Sequence, residues 1–265
     1  MIEPKKFASR EELVDHVALI TPAIARAEPS PIVGSQRSLK ERMDGLDPAA
    51  YGRSRNFLDG KVSRLSGFIR HGMISLNQVR NLALDRVNKP VDAEKFIQEL
   101  AWRDYWRRVQ QAHPDWIWND VEAYKTGFTA SEYADDLDDD IRDGRTGVGA
   151  IDDIITLLKT TGYIHNHARM YLASYIVHWR RIKWQAGARF MLEHLIDADM
   201  ASNNLSWQWI ASTFSHKPYI FNLENLRKYA GSHVNTDTSA NRPLDASYDE
   251  LMARLFPHIG SVEHG

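Results

Sequence analysis

The sequence contains no cysteine, and this single absence removes several kinds of chemistry together. Disulfide bonds, iron–sulfur clusters, thiolate zinc sites and cysteine nucleophiles are all excluded. Long apolar runs are also missing: no stretch approaches the ~18 residues of a membrane span, and the N-terminal residues lack the apolar core of a signal peptide. These absences predict a soluble cytoplasmic protein that binds no membrane, and we expect no metal site.

Neither sign of charge dominates, because 33 Lys and Arg residues stand against 35 Asp and Glu residues, for a formal net charge of −2. A uniformly basic coat for binding nucleic acid is therefore excluded, although a local basic face is not. Hydrophobic residues make up 43% and charged residues 26% of the 265 positions, as in ordinary globular proteins. This length suggests one large domain or two small ones. No segment separates two distinct halves, which favours one domain.

Alternating patterns typical of β-strands are missing, which excludes a βαβ series. Apolar residues recur instead near a period of 3.6, the spacing that indicates α-helices, and an all-α fold is predicted. The clearest helices are residues 92–112, ended by Pro114, and residues 149–160 and 163–183, separated by Gly162. Further helices are predicted near residues 10–20, 61–70, 75–87, 187–196, 199–213, 222–230 and 246–255, with loops at 28–36, 134–147 and 231–245.

Polar and aromatic residues are concentrated between Thr146 and Leu223. This region contains TGYIHNHARMYLAS (161–174) and LIDADMASNNLSWQW (195–209). The acids of the second motif, Asp197 and Asp199, could bind a metal ion. A carboxylate pair facing an arginine is better explained as a buried ion-pair network, because isolated buried charges are costly.

These motifs resemble the helical flavin-binding domain of the DNA photolyase and cryptochrome family. The resemblance covers residues 51–223 and includes VSRLSGFIRHGMIS (62–75) and QELAWRDYW (98–106). Val62 stands where the family usually has threonine. Nothing before Tyr51 resembles the N-terminal antenna domain of full-length relatives, so we expect a flavin domain standing alone, without a bound antenna chromophore. Residues 1–50 would form a helical lead-in, and residues 224–265 a divergent C-terminal segment.

The resemblance implies a non-covalently bound FAD and a set of residues that hold it. Ser63 and Ser66 would cradle the pyrophosphate at a helix start, and Asn203 would lie near the flavin N5. The full implied set is Tyr51, Ser63, Arg64, Leu65, Ser66, Phe96, Arg103, Arg169, Asp197, Asp199, Asn203 and Asn204. Three ordinary roles stay open: a serine helix cap, core packing of Phe96, and a helix N-cap by Asp199.

The resemblance also implies a pocket for a damaged pyrimidine pair and a chain of tryptophans that carries electrons. The pocket residues would be Glu99, Trp102, Asn166, Met170 and Trp209, although tryptophans are also common in cores. Asn166 favours cyclobutane dimers, because the (6-4) branch of the family has histidine at that position. Trp207 and Trp184 match the first two members of the electron-transfer chain; the third is left open among Trp106, Trp116, Trp118 and Trp179.

The resemblance implies three possible functions. The leading hypothesis is light-driven repair of cyclobutane pyrimidine dimers in DNA, by electron transfer from reduced FAD, with a preference for single strands. The alternatives are a cryptochrome-like photoreceptor without repair activity and a non-catalytic DNA-binding protein. Some of the basic residues near the motifs are expected to contact DNA phosphates: Arg53, Arg55, Lys61, Arg64, Arg70, His71, Arg103, Arg107, Arg108, Arg180, Arg181 and Lys183. The acidic run from Asp135 to Asp140 is expected to be a solvated loop facing away from DNA.

Overall fold

The computed structural model describes residues 6–20 and 29–259, and the chain divides into two compact units between Val33 and Gly34. The first unit contains α1 (Arg10–Ile20), which has no buried residue and agrees with the predicted helix at 10–20. Its first turn is capped, because the Ser9 hydroxyl accepts a hydrogen bond from the Glu12 backbone N–H at 3.1 Å. No helix in the described residues combines the length and apolarity that crossing a membrane requires.

The second unit is helical, and its described residues contain no β-strand beyond one isolated bridge between Ala134 and Ile182. The all-α prediction is therefore confirmed. The α-helices are α2 (Gln36–Asp44), α3 (Pro48–Ser54), α4 (Ser66–Arg70), α5 (Leu76–Asp85), α6 (Val91–Ala112), α7 (Asp139–Asp143), α8 (Gly149–Thr161), α9 (Asn166–Ser174), α10 (Trp184–His194), α11 (Met200–Ala211), α12 (Leu223–Ala230) and α13 (Tyr248–Leu255). Short 3₁₀ turns lie at Pro114–Ile117, Ala130–Glu132, Thr238–Ala240 and Arg242–Leu244.

Local sequence signals explain where the longer helices begin and end. A capping box starts α5, in which Ser75 and Gln78 each bond the backbone of the other. Gly162 ends α8 with a φ of 69°, a left-handed conformation that favours glycine. The predicted helices at 92–112 and 149–160 agree with α6 and α8 to within one residue.

The predicted continuous helix over 163–183 is wrong at both ends. Regular helix begins only at Asn166, because the His165 ring Nδ1 accepts the His167 backbone N–H at 3.1 Å and so caps α9. After Ser174 the chain widens into one π-helical turn, Tyr175–Trp179. Arg181 then adopts a φ of 49°, which stops the helix. Single π-turns inside helices are frequent at functional sites.

Short helices were missed, because one or two turns do not display a period. Of the predicted helix at 61–70, only α4 is helical, and α2 and α3 were not predicted. Both helices nonetheless start after residue types that favour the N-cap position. The Ser35 side chain accepts from Ser38 N before α2, and the Asp47 side chain accepts from Ala50 N before α3.

Two predicted loops carry specific contacts. The acidic run from Asp135 to Asp140 is mostly an exposed loop, as predicted, and α7 begins at its end. It is also paired: Arg180, after the π-helical turn, lies 2.5 Å from Asp138 and 2.8 Å from Asp140. In the loop at 231–245, the fully buried Asn241 accepts the Ala150 backbone N–H at 3.0 Å, which fixes this segment to α8.

Two apolar clusters provide most of the core of the second unit. The larger one is formed by α8, α9, α10, α11 and α12, and includes fully buried Trp184 and Phe221. The smaller one joins α2, α4, α5 and α6 around Phe68, Val79 and Phe96. The candidate site lies where the helices of the smaller cluster face α9 and α11.

Close packing between α10 and α11 depends on Gly187. A Cβ atom at this position would lie 2.3 Å from the ring of Trp207. That ring is buried, so an added Cβ would have to displace a packed side chain. Gly187 therefore lets the Trp207 indole lie directly against the α10 backbone.

We predict that Gly187→Ala lowers the free energy of unfolding by about 1–3 kcal/mol, because it overpacks a filled core. Gly52→Ala is a matched control, since its Cβ would meet Lys95 at an ordinary 3.7 Å. It should leave stability unchanged or raise it by up to about 1 kcal/mol. Urea unfolding of both variants checks this, and a Gly187→Ala protein as stable as the wild type would contradict the packing argument.

Candidate functional site

A cavity of about 590 Å³ opens between α4 and α6 on one side and α9 and α11 on the other. This volume is within the range of small-molecule and cofactor sites. The walls come from four chain segments, at 51–69, 96–106, 163–173 and 191–210. These segments contain the motifs that the sequence analysis singled out.

A buried ion pair forms part of the cavity wall. Arg169 on α9 reaches Asp197, in the turn before α11, with Nη2 at 2.9 Å from Oδ2 and 3.1 Å from Oδ1. Arg169 Nε also donates to the Ile164 carbonyl at 3.0 Å, which orients the guanidinium. Burial raises the pKa of Asp197, but Arg169 outweighs that effect and holds the pKa below its ordinary value. The aspartate is thus a fixed negative charge beside the cavity.

Asp199 combines two roles that the sequence left open. Its Oδ1 accepts the Ser202 backbone N–H at 3.0 Å, which makes it the N-cap of α11. Its Oδ2 accepts from Arg103 at 3.1 Å and from Arg107 at 2.8 Å, both on α6. Although burial raises the pKa of Asp199, these donors keep it below its ordinary value. The helix cap is therefore confirmed, and the same carboxylate also lines the cavity.

The Ser63–Ser66 segment enters the cavity as a strained turn. Arg64 has a φ of 52°, unusual for a residue with a side chain. Its guanidinium lies 5.4 Å from the ring centroid of Tyr163, which Arg169 also approaches at 5.9 Å. The Ser63 hydroxyl accepts from Leu65 N at 3.4 Å, and no side chain caps α4. An ordinary serine cap does not explain this motif, and backbone strain of this kind clusters at functional sites.

Within residues 6–20 and 29–259, three buried nitrogens around the cavity have no hydrogen-bond partner: Arg103 Nε, His165 Nε2 and Trp207 Nε1. Buried polar groups are nearly always hydrogen-bonded in native proteins, so each of these calls for an explanation. The Asn203 amide donates to the Ala188 carbonyl at 3.2 Å, which leaves its Oδ1 to offer to a ligand. The walls therefore suit a ligand with many polar acceptors and flat apolar parts, as FAD has.

The mouth of the cavity is aromatic and carries a paired acid. Trp102 on α6 and Trp209 on α11 both line it and remain 45% and 43% exposed. Glu99, one turn before Trp102, lies 3.2 Å from Arg55 and 3.5 Å from Lys95. Asn166 Nδ2 lies 3.8 Å from the Met170 sulfur, and both residues line the cavity.

A row of tryptophans leads away from the cavity. Trp207 lines the cavity and is 2% exposed. Trp184 is fully buried, and its indole N–H donates to Asp120 at 2.6 Å. Trp118 lies parallel to Trp184, with ring centroids 6.4 Å apart and planes 5° apart. The Arg189 guanidinium lies 4.9 Å from the Trp118 ring centroid.

Comparison with known proteins decides the family. The model of the FAD binding domain of DNA photolyase matches residues 96–237, which is more than half of the chain. The chain belongs to this family. A deoxyribodipyrimidine photo-lyase of Alkalihalophilus pseudofirmus is 33% identical over 194 residues, covering 72% of this chain and 39% of the relative.

Two solved photolyases have the same fold over most of this chain. A bacterial class III photolyase from Agrobacterium tumefaciens matches with a TM-score of 0.61 and 27% identity, covering 78% of this chain and 43% of its own. An archaeal photolyase from Sulfolobus tokodaii, solved with two FAD molecules, matches with a TM-score of 0.64 and 25% identity, covering 89% and 52%. This chain therefore spans about two fifths to one half of the photolyases it resembles.

Nearly all the residues predicted for the photolyase site line one cavity. Tyr51 and Phe96 do so while also packing edge-to-face, with ring centroids 5.1 Å apart. Asn204 is the exception in the cofactor set: it is buried and donates to the Ile117 carbonyl at 2.7 Å, so it fixes α11 instead of facing a ligand. Trp184 also lies outside the cavity, fully buried in the core.

Sequence reasoning missed residues that act through a partner. Asp120 and Arg189 belong to no family motif quoted above, yet each contacts a tryptophan of the predicted electron-transfer set. Arg107, expected to contact DNA phosphates, instead pairs with Asp199. Their roles depend on side chains that are distant in the chain, and the sequence carries no signal for such pairs.

Histidines in and near the photolyase site are held neutral. Burial is the main cause that lowers the pKa of His165 and His167, lining or near the cavity, to about 4, and it does the same for His178 in the core. Their ordinary pKa is 6.5. The unfolded chain therefore binds more protons between pH 6.5 and pH 4, so this stabilisation is complete above pH 6.5 and is lost as the pH falls through that window.

We predict that His178→Gln makes stability less dependent on pH in this window, by about 1.4 kcal/mol per pH unit for one proton. Glutamine can still donate to the Ile210 carbonyl that His178 contacts at 3.0 Å. Urea unfolding between pH 7 and pH 4.5 measures the slope. The exposed His216→Gln serves as control, and equal slopes in His178→Gln and wild type would contradict the assignment.

Proposed function

We propose that this chain binds FAD in the cavity and uses it, under light, to split cyclobutane pyrimidine dimers in DNA. When bound, reduced FAD would supply one electron to the dimer after absorbing blue or near-ultraviolet light and would recover it once the ring has split, so that the reaction has no net change of oxidation state. The observation that carries the proposal is the meeting of two half-exposed tryptophans, an acid and an amide at the mouth of an ion-paired polar cavity. Membership of the photolyase FAD-binding family supports it.

Charged and polar groups at the cavity floor would hold the cofactor. Arg169 is held by Asp197, and Arg103 by Asp199, at 2.9 Å and 3.1 Å. Such preorganisation spares the ligand the cost of arranging them. The Ser63–Ser66 turn would take the phosphates, with backbone N–H groups at the start of α4. Asn203 would offer its side-chain carbonyl to the ring system.

Two walls and two polar groups would hold the dimer. Trp102 and Trp209 present flat apolar faces on which pyrimidine rings can stack. Glu99 is paired with Arg55 and Lys95, so its natural role is that of a carboxylate that accepts a pyrimidine N–H. Arg55, also lining the cavity, is then the donor available for a developing negative charge on a pyrimidine carbonyl.

Asn166 sets the lesion class in this proposal. An amide can donate and accept hydrogen bonds but cannot transfer a proton at neutral pH. Splitting a cyclobutane ring needs one electron, supplied and then returned, and no net proton transfer. An amide that only forms hydrogen bonds is therefore enough at this position. For this reason we propose cyclobutane dimers as the substrate. Because DNA is the partner, we also propose that the protein acts inside the cell.

The tryptophan row would carry electrons from the surface towards the cavity. Trp207 and Trp184 belong to the same buried apolar cluster, and Trp118 packs against that cluster and stacks on Trp184. Of the other candidates, Trp116 stacks on His113, and Trp179 donates to the Pro243 carbonyl and packs on Phe221. The parallel stack on Trp184 therefore favours Trp118 as the third member.

Contacts with DNA would come from only part of the basic set. Arg180 and Lys183 are already paired with the acidic run, and Arg181 lies 3.3 Å over the Phe128 ring. Their predicted phosphate contacts are therefore not supported. The smaller remaining basic surface favours single strands, where a dimer can enter the cavity without the cost of leaving a duplex.

The proposal is tested by illuminating the chemically reduced protein with dimer-containing oligonucleotides and following restored thymine absorbance. Light-dependent repair is expected, and its absence with FAD bound would favour the cryptochrome-like alternative. Glu99→Ala should weaken dimer binding by roughly tenfold or more, the loss expected for one charged hydrogen bond. Glu94→Ala, an exposed acid on the same helix, should bind and repair as wild type does; equal effects in both variants would remove Glu99 from the site.

We predict that Trp118→Phe slows light-driven reduction of bound FAD by on the order of tenfold or more, equivalent to about 1.4 kcal/mol or more of barrier. Phenylalanine keeps the stack but is far harder to oxidise. Trp116→Phe is the matched control and should leave the rate unchanged. Time-resolved absorption under blue light measures both, and a Trp118→Phe protein that is reduced at the wild-type rate would show that electrons take another route.

A further inference from the structure

The aromatic wall of the cavity continues beyond its mouth onto the outer surface of α6. Four rings form this aromatic platform: Trp102, Tyr105, Trp106 and Phe214. Trp106 is central, with ring centroids 5.3 Å from Trp102, 5.1 Å from Tyr105 and 5.8 Å from Phe214. Trp102 and Trp106 line the cavity, whereas Tyr105 and Phe214 lie outside it. The platform therefore joins the cavity to the surface without a break.

Tyr105 is the outermost ring and the feature that the proposed function leaves unexplained. Its side chain is 46% exposed, as much as Trp102 at 45%, although it has no part in the cavity. It follows Trp102 by three residues on the same face of α6, and the two rings meet edge-to-face at 5.5 Å. A rigid, exposed aromatic ring held by two others is the kind of surface on which a nucleobase stacks.

We propose that Tyr105 stacks the base of the nucleotide next to the dimer when the dimer lies in a single strand. This inference rests on the proposed function, because it needs a dimer held between Trp102 and Trp209. The ring planes of Trp102 and Tyr105 meet at 83°, so a base on Tyr105 would be turned away from the dimer, which a flexible single strand permits. Stacking on an aromatic face requires no particular base, so the site is sequence-tolerant.

Basic side chains at the edge of the platform suit the phosphates of such a strand. Arg108 lies three residues beyond Tyr105 on the same helix face, and its side chain is 74% exposed. Its partner Asp104 lies at 2.7 Å and is 50% exposed, so this pair contributes little stability and can yield to a phosphate. Lys217 follows Phe214 and is also exposed. This combination of rings and cations fits a nucleic-acid strand better than an apolar protein surface.

The test compares dark binding of the dimer dinucleotide with binding of oligonucleotides that carry the same dimer and two extra nucleotides on the 5′ side, the 3′ side or both. The measured quantity is the ratio of affinities, oligonucleotide over dinucleotide. For wild type, a flank on one side should raise affinity by roughly 5- to 100-fold, the gain expected from stacking one base. The flank on the other side should give only the gain that an added phosphate provides.

Variants at Tyr105 decide whether this gain comes from the ring. In Tyr105→Ala, the flank that gives the larger gain in affinity should give no more than the flank on the opposite side. Tyr105→Phe should keep the larger gain, because the ring remains. Leu157→Ala, which removes another apolar side chain that is 42% exposed, serves as control and should keep the full gain. Circular dichroism confirms that each variant is folded.

Three results would overturn the inference. An unchanged one-sided gain in Tyr105→Ala contradicts it while leaving the proposed function intact. Wild-type protein that binds no dimer dinucleotide contradicts the proposed function, and this inference with it. Sedimentation could also show that the wild-type protein forms homodimers and that Tyr105→Ala dissociates them. That result would assign the platform to contact with a second copy of the chain instead.

Discussion

The salt bridge between Arg169 and Asp197 is the interaction on which the site depends. It joins α9 to the turn between α10 and α11, and it pairs a buried Asp197 with a half-buried Arg169. Two residues later, Asp199 uses its carboxylate to start α11 and to bind α6 through Arg103 and Arg107. Breaking either buried pair would leave a charge without compensation, which costs several kcal/mol. The walls of the cavity are thus fixed relative to one another by the same charges that face a ligand.

Helical periodicity was enough to predict the fold class and the long helices, because α6 and α8 each display several turns of the pattern. It failed where a local bond overrides the pattern, as at the start of α9, where the His165 ring takes the place of a helical turn. Short helices such as α3 escaped for a different reason: two turns carry no period, and their caps must be recognised instead. These errors in helix boundaries did not change which residues were predicted to form the site, because those residues come from the long motifs.

Motif resemblance placed almost every site residue on one cavity, but it could not describe how each acts. Asp199 turned out to be both a helix cap and an ion-pair partner, and Asn204 a structural amide that holds the Ile117 carbonyl. Glu99 is paired with Lys95 on α6 and with Arg55 at the end of α3. Contacts of this kind link residues far apart in the chain. Only the folded arrangement of side chains reveals them.

The FAD content of the purified protein tests most directly whether the ion-paired cavity holds the cofactor. We expect about one non-covalent FAD per wild-type chain, released on denaturation. We also expect a folded Asp199→Asn protein with much lower FAD occupancy, since asparagine keeps the helix cap but removes the charge that compensates Arg103 and Arg107. Wild-type protein that takes up no FAD, or an Asp199→Asn protein with full occupancy, would contradict the assignment of the ion-paired cavity as the cofactor site.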